Sequence, residues 1–461
     1  MAQNFIGRED ELNALRGKFN IKGFQMITVF GRRRVGKTTL INRFIEETDC
    51  KAISFAAVER SESELLSMMS SEVIRVLSPG LEGIVSFESF DKLFDFIAKA
   101  AEKERIIFLI DEYPYLAKAC SYMNSLLQKY ADHAWKNTQL YFILCGSLVS
   151  FMRDEVLSKN APLYGRSTLE FQLKPLDYLT SSYFLPGYTR EEQAIVYGLT
   201  GGVPKYLEQF DPDLTLDENI AAQFYSRNGY FTEEQIKTVI TDDRQTSPVY
   251  YEIIAALASG RTRHNEICQY AKIDDATHYL NVMVSSGLIE KRKSKTTYYV
   301  LNDGMLKFYF NYVSRAASLI NAGRGIVYYE KHVKPELHNY MGSVFENMAK
   351  QYIYRNAGTD RVPAFVSEVK DYQTSVRTDQ GIVSIEIDIA GYDNDDFVLA
   401  GECKFQNKQF NEDELNKFLN KLPYVPAENP AVMLFALSGF TAGVRKHKEI
   451  TLVDIEEMYR P

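Results

Sequence analysis

The sequence predicts a multidomain α/β protein, with a parallel sheet in its N-terminal third, helices through the middle and a second α/β layer at the C-terminal end. Three observations carry this. Positions 26 to 46 run from a short apolar strand through a Gly- and Arg-rich loop into a helix. Positions 249 to 303 read as three short helices and a two-stranded hairpin, and positions 381 to 405 as two strands that each have one apolar face and one face bearing acids. The 461 residues, 45% hydrophobic and 13% aromatic, suffice for several buried cores. The expected segments are 1–170, 171–245, 246–325 and 330–461.

Composition removes several function classes. No run approaches the roughly 18 apolar residues of a membrane span, and the first ten residues, MAQNFIGRED, are not a signal segment. A cytoplasmic protein without a membrane partner is expected. Five cysteines without paired spacing and six histidines that form no cluster with them argue against disulfides and structural zinc. The net charge of −8 argues against a protein that coats nucleic acid over its whole surface. Two basic runs, KRKSK at 291–295 and VRKHK at 444–448, are read either as solvated turns or as local phosphate contacts.

The first element is the strand Met26–Phe30, followed by GRRRVGKT at 31–38 and a helix-forming run from Thr39. The pattern G-x-x-x-x-G-K-[ST] in a strand-loop-helix context is a phosphate-binding P-loop. Its glycines let backbone N–H groups converge on phosphate oxygens, and the helix N-terminus adds donors and partial positive charge. ATP is the expected ligand, with Gly31, Arg34, Val35, Gly36, Lys37, Thr38 and Thr39 around it. Lys37 would reach the β- and γ-phosphates, and Thr38 would hold Mg²⁺. Arg32, Arg33 and Arg34 either help hold the anion or are solvated.

The next strand, Ile106–Ile110, ends in Asp111 and Glu112, where ligands bind in open parallel sheets. Asp111 is the expected Mg²⁺ partner and Glu112 the group that polarises the attacking water. A third strand ends in Gly146-Ser147. The Ser147 hydroxyl either contacts the γ-phosphate or water, or caps the following helix. Arg166, after PLYG, either reaches a γ-phosphate in its own or a neighbouring subunit or is a surface arginine.

FIGREDELNAL (5–15), the P-loop, LIDEYPYL, LCGS, PLYGR (162–166) and TGGVPKYL (200–207) occur in this order. Together they resemble the archaeal-type P-loop ATPases of the AAA+/STAND group, found in bacteria as well. The resemblance implies a P-loop NTPase sheet with a helical lid and oligomerisation through the ATPase domain. It also implies that Phe5 to Glu9 lie near the adenine, that Gly202 to Pro204 close over the nucleotide, and that Arg166 senses the γ-phosphate.

From 170 to 245 apolar residues recur at helical spacing, as suits a lid. The three helices and hairpin that follow have the order of a winged helix-turn-helix. Asp274 and Asp275 at the start of the third helix, with uncharged Thr277, His278, Asn281 and Ser285, leave DNA binding and intramolecular packing as two open readings.

In GIVSIEIDIA, alternation places Val383, Ile385, Ile387 and Ile389 on one face and Ser384, Glu386 and Asp388 on the other. In FVLAGECKF it places Glu402 and Lys404 with Val398 and Ala400, and Phe397, Leu399, Cys403 and Phe405 opposite. GYDNDD is the expected turn. If the strands pair, Asp388 and Glu402 converge on one divalent cation with Lys404 beside them. An amphipathic helix upstream carries Glu346 at the edge of its stripe, and a helix and a buried strand follow downstream. This order, with Glu346, Asp388 and Glu402-Cys403-Lys404, resembles the PD-(D/E)XK nuclease-like, restriction-endonuclease-like domain over about residues 335–455. The resemblance implies that Asp388, Glu402 and Glu346 bind Mg²⁺, that Lys404 is catalytic in metal-assisted phosphodiester hydrolysis, and that nucleic acid is the partner.

Overall fold

In the computed structural model, residues 5–460 are described except 82, 84–85, 234–235, 238–239, 241–247, 294–295 and 379–380. The end of the expected lid and the last two residues of the KRKSK run therefore lie outside the described residues. The chain divides into two units. The first comprises 1–176, 203–206 and 237–303, and the second 177–202, 207–236 and 304–461. Most of the helices expected as a lid thus group with the C-terminal sheet, while the three helices and hairpin group with the P-loop sheet.

The first unit is built on five parallel strands: β1 (Gln25–Phe30), β2 (Lys51–Ala56), β3 (Ile106–Asp111), β4 (Leu140–Gly146) and β5 (Leu169–Gln172), in the order β2-β3-β4-β1-β5. β1, β3 and β4 are buried at every position, as a sheet covered on both faces requires. Alternate residues feed two cores. Met26, Phe108, Phe142 and Leu144 pack on one face around the fully buried Trp135, and Ile27, Val29, Ile107 and Ile143 pack on the other against Leu40, Ile41 and Phe44 of the helix Lys37–Glu46. Trp135 lies 5.0 Å from Phe142 and 5.4 Å from both Phe94 and Tyr130, ring centre to ring centre. β4 is inserted between β1 and β3, so the chain ends that follow Phe30, Asp111 and Gly146 share one edge of the sheet.

Also in this unit are the helices Pro248–Ala258, His264–Ala271 and Thr277–Ser285, then the antiparallel strands β6 (Ile289–Lys293) and β7 (Thr297–Leu301). Leu280 and Met283 bury one side of the third helix, while Thr277, His278 and Asn281 are exposed.

The second unit carries a mixed sheet, β12-β11-β10-β9-β8, made of β8 (Glu368–Thr378), β9 (Gly381–Asp393), β10 (Asp396–Lys404), β11 (Ala431–Ala436) and β12 (Ile450–Asp454). β8, β9 and β10 are antiparallel, and β10, β11 and β12 parallel. β8 and β12 are strands that the sequence reading did not single out, because β8 (EVKDYQTSVRT) is mostly polar and β12 is only five residues long. The helix Leu337–Arg355 packs on β9 and β10, with Phe345 against Phe405, and the helix Glu412–Leu419 contributes Leu415 and Phe418 to another core.

Three local expectations are corrected. The β9–β10 turn is only Asn394-Asp395, with Asn394 at φ 53°, because Asp393 still pairs with Asp396 and the rest of GYDNDD is strand. The β9–β10 register shifts between Phe397 and Leu399, so Phe397 joins the core that holds Ala400. The β8–β9 register shifts between Lys370 and Tyr372, leaving Asp388 and Ile389 opposite Asp371 alone, and Ile387 joins the core of Ala390. A bulge breaks strict alternation because its extra residue turns the following side chains to the other face.

Candidate functional site

Local backbone chemistry sets the phosphate loop. A Cβ on Gly31 would lie 2.3 Å from the Leu173 carbonyl oxygen, and Gly36 opens the helix at φ 91°, so neither position tolerates a side chain without strain. Lys37 is buried and donates from Nζ to the carbonyls of Gly31 (2.9 Å) and Arg32 (3.1 Å). Thr38 Oγ1 donates to Asp111 Oδ2 at 2.7 Å, and the Glu112 N–H donates to Asp111 Oδ1 at 2.9 Å. A hydroxyl and a carboxylate side by side at a helix N-terminus are the hard oxygen donors that Mg²⁺ takes beside phosphates. Val35 is buried at the base of the loop, and Thr39 is exposed on the first helical turn.

Glu112 sits in the left-handed region at φ 50°, an uncommon conformation for a residue with a side chain. Its Oε2 accepts from both the Ser147 hydroxyl (2.6 Å) and the Ser147 N–H (3.3 Å). Ser147 therefore does not cap the next short helix, whose N-cap is Leu148 without a side-chain bond. The catalytic candidate Glu112 is restrained by the residue expected to meet the γ-phosphate.

The three loop arginines are half-buried, and each contacts another side chain. Arg32 pairs with Asp303 at 2.5 Å, Arg33 donates to the Tyr115 hydroxyl at 2.6 Å, and the Arg34 guanidinium lies over the Tyr206 ring at 5.9 Å. Among the described residues, Arg34 Nη1 is buried and has no acceptor. The TGGVPKYL segment meets the loop: the Lys205 N–H approaches the Arg34 carbonyl at 3.4 Å, and Pro204 borders Gly36. On the other side Arg8 donates to the carbonyls of Val35 (3.2 Å) and Lys174 (2.5 Å), which puts the Phe5–Glu9 segment beside the loop. Arg166 is engaged elsewhere. It forms a two-pronged pair with Asp132 at 2.8 and 2.7 Å and donates to the carbonyls of Pro162 and Tyr164. Asp303 gave no signal in the sequence because it partners the loop from a distant segment, while Tyr115 and Tyr206 lie in the LIDEYPYL and TGGVPKYL segments without having been singled out as partners of the loop arginines.

In the second unit, β9 and β10 stop pairing after Gly401 and Ile389, and the Asp388 carboxylate takes the Cys403 N–H at 2.9 Å. Glu402 is buried, and each of its oxygens meets a lysine: Oε1 with Lys404 at 2.6 Å and Oε2 with Lys421 at 2.8 Å. Burial, then the Glu402 charge, pushes Asp388 up to about 6. Burial, then the Asp388 charge, pushes Glu346 up to about 7. Burial alone would lower the Lys404 ammonium, but Glu402 and Asp388 raise it on balance. The geometry thus brings Glu346, Asp388, Glu402 and Lys404 into one electrostatic neighbourhood, with Lys421 as a member that the sequence reading missed. Their oxygens suit a hard divalent cation, although among the described residues no three acidic, His or Cys side chains already form a metal cluster.

Residues 5–210 match a family described as an ATPase domain predominantly from Archaea, and 309–417 match one described as archaeal and bacterial proteins of unknown function. An uncharacterized protein of Methanocaldococcus jannaschii is 31% identical over 370 residues, 78% of this chain and 79% of that protein. A second, described as an uncharacterized ATP-binding protein of the same organism, is 44% identical over 50 residues, which cover 11% of this chain and 85% of that one. The fold is similar to that of the Walker-type ATPase paby2304 of Pyrococcus abyssi, with a TM-score of 0.52 at 20% identity over 67% of this chain and 97% of that one. Among the described residues no helix is long and apolar enough to cross a membrane. With its phosphate loop, its Asp-Glu strand end and a relative matched over most of both chains, the chain belongs to the family of archaeal-type P-loop ATPases.

Proposed function

We propose that this ATP-binding and ATP-hydrolysing protein couples its nucleotide state to a winged-helix module and to a metal-dependent, nuclease-like domain that acts on nucleic acid. On this reading Lys37 leaves the Gly31 and Arg32 carbonyls for the β- and γ-phosphates, and Thr38 and Asp111 hold Mg²⁺. Glu112, once released by Ser147, orients the attacking water. Mg²⁺, when bound, neutralises charge developing on the phosphate oxygens. Arg166 would first have to leave Asp132 to reach a phosphate.

The observation that carries the nuclease reading is the convergence of Asp388, Glu402, Lys404 and Glu346 at a bulged, splayed strand pair. Bulges are enriched beside active sites because they re-aim side chains. Asp388, Glu402 and Glu346 would hold the divalent ion, and Lys404 would steady the phosphate. The test incubates purified protein with labelled DNA or RNA, Mg²⁺ or Mn²⁺, with and without ATP. Divalent-dependent cleavage lost in Lys404→Ala and Asp388→Asn is expected. No cleavage under any condition sinks the nuclease reading, and full cleavage by Lys404→Ala sinks the residue assignment.

One observation favours a second reading, an ATP-dependent signalling or defence switch with a non-cleaving C-terminal module. Both oxygens of Glu402 are already neutralised by lysines. Such a pair stabilises a fold without needing a metal. Specific nucleic-acid binding without cleavage in the same assay supports it.

A further inference from the structure

We infer that Asp303 is a positioning residue of the nucleotide site: acting through Arg32, it ties the hairpin module to the phosphate state of the P-loop. The inference rests on ATP binding at Gly31–Thr38 and goes beyond it. Arg32 is part of the loop twice over. Its carbonyl, with that of Gly31, holds the Lys37 ammonium, and its guanidinium holds Asp303 at 2.5 Å.

The far end of this connection is built into the hairpin. Asp303 lies two residues beyond β7, and the intervening Asn302 donates its N–H to the Leu288 carbonyl at 3.0 Å, which closes the base of the hairpin. Gly287, in the turn that leads into β6, has φ 76° and borders the aliphatic part of Arg32: a Cβ placed there would lie 3.7 Å from Arg32 Cδ. The Arg32 side chain therefore lies between the entry and the exit of the hairpin. The Asp303 side chain is 0% exposed and that of Arg32 16%. A buried carboxylate without its cation is costly, so the pair resists separation and transmits displacement. Asp303 is also the last residue of the first unit, and the next residue, Gly304, belongs to the second.

The physical sequence is short. Phosphates entering the loop draw Lys37 away from the Gly31 and Arg32 carbonyls, and the backbone at Arg32 re-forms around them. Because Arg32 is closely paired with the buried Asp303, the shift reaches the hairpin base instead of being absorbed by solvent. Linkage requires the reverse as well: an anchored hairpin biases the loop toward one phosphate state.

The test measures hydrogen exchange of peptides covering 288–303 in the full chain without nucleotide, with ADP and with a non-hydrolysable ATP analogue. Fluorescent-nucleotide titration runs on the same samples. In the parent, nucleotide is expected to change hairpin exchange. In Asp303→Asn and Arg32→Gln, affinity is expected to fall by about five- to ten-fold while the nucleotide response of the hairpin disappears, and the double variant should be no worse than either single one. Arg32→Lys, which keeps the charge, should retain part of the response, and it carries the test if Asp303→Asn does not fold. A hairpin that ignores nucleotide in a parent that binds it overturns the inference, as does an undiminished response in Asp303→Asn. A parent that binds no nucleotide instead overturns the ATP reading, so the two failures are distinguishable.

Discussion

At the residue scale the proposed catalytic role falls on Glu112, whose carboxylate is held by Ser147. Its left-handed backbone points the carboxylate to the Ser147 hydroxyl and N–H, at the end of the strand adjoining the P-loop strand. Glu112→Gln should lower ATP turnover by about 10²–10⁴-fold with nucleotide binding retained, because a general base contributes about that much. Single-turnover hydrolysis and nucleotide titration check this, and unchanged turnover removes Glu112 from the mechanism. Gly31 gives a stability prediction. Gly31→Ala places a methyl against the Leu173 carbonyl and should destabilise by about 1–3 kcal/mol, read by urea unfolding. The glycines and Lys37 were legible in sequence because phosphate binding fixes their spacing. Asp303 was not, since 270 residues separate it from the arginine it holds.

Elements decide where those residues sit. Insertion of β4 between β1 and β3 brings Ser147 and Glu112 together, and the aromatic cluster around Trp135 braces that sheet. Trp135→Ala should cost about 3–5 kcal/mol by chemical denaturation, from lost burial and the cavity left behind. In the second unit, burial of Glu346 and Asp388 beside other carboxylates sets a pH dependence. Glu346 and Asp388 have folded values of about 7 and about 6 against ordinary values of 4.5 and 3.8. Raised carboxyl values mean that the folded state binds protons more tightly than the unfolded state. The stability they contribute is therefore full below about pH 4 and is lost as pH rises through 6 to 7. Metal-free parent should lose thermal stability over that window more steeply than a Glu346→Gln/Asp388→Asn variant, and parallel melting curves would refute the assignment. The strands that bear the acids were legible from their alternation. The bulges were not, because a register shift depends on which strand lies alongside, and the polar β8 that induces one gives no period-2 signal.

At the scale of the whole molecule, the phosphate loop and the proposed metal-dependent site lie on one chain, one in each unit. Lys37→Ala should abolish ATP turnover while divalent-dependent cleavage, where present, persists without its response to ATP; the paired assay with Lys404→Ala checks that the two sites fail separately. Charge fits this division. A net −8 leaves no general attraction for nucleic acid, so any grip must come from local groups such as the exposed Lys291 and Lys293 on the hairpin.

What the sequence determined by itself is the phosphate loop, the Asp-Glu strand end, the order of helices and hairpin, and the acids and lysine of the C-terminal strands. All of these are written in short-range spacing, where backbone geometry dictates residue type. Only the tertiary structure decided that Arg32 meets Asp303, that Arg166 is held by Asp132, that Lys421 joins Lys404 on Glu402, and that the expected lid groups largely with the C-terminal sheet. Those are long-range pairings. The buried acids Asp303 and Glu402 need partners because a charge removed from water must be compensated, and in every case which partner is near depends on how the whole chain packs.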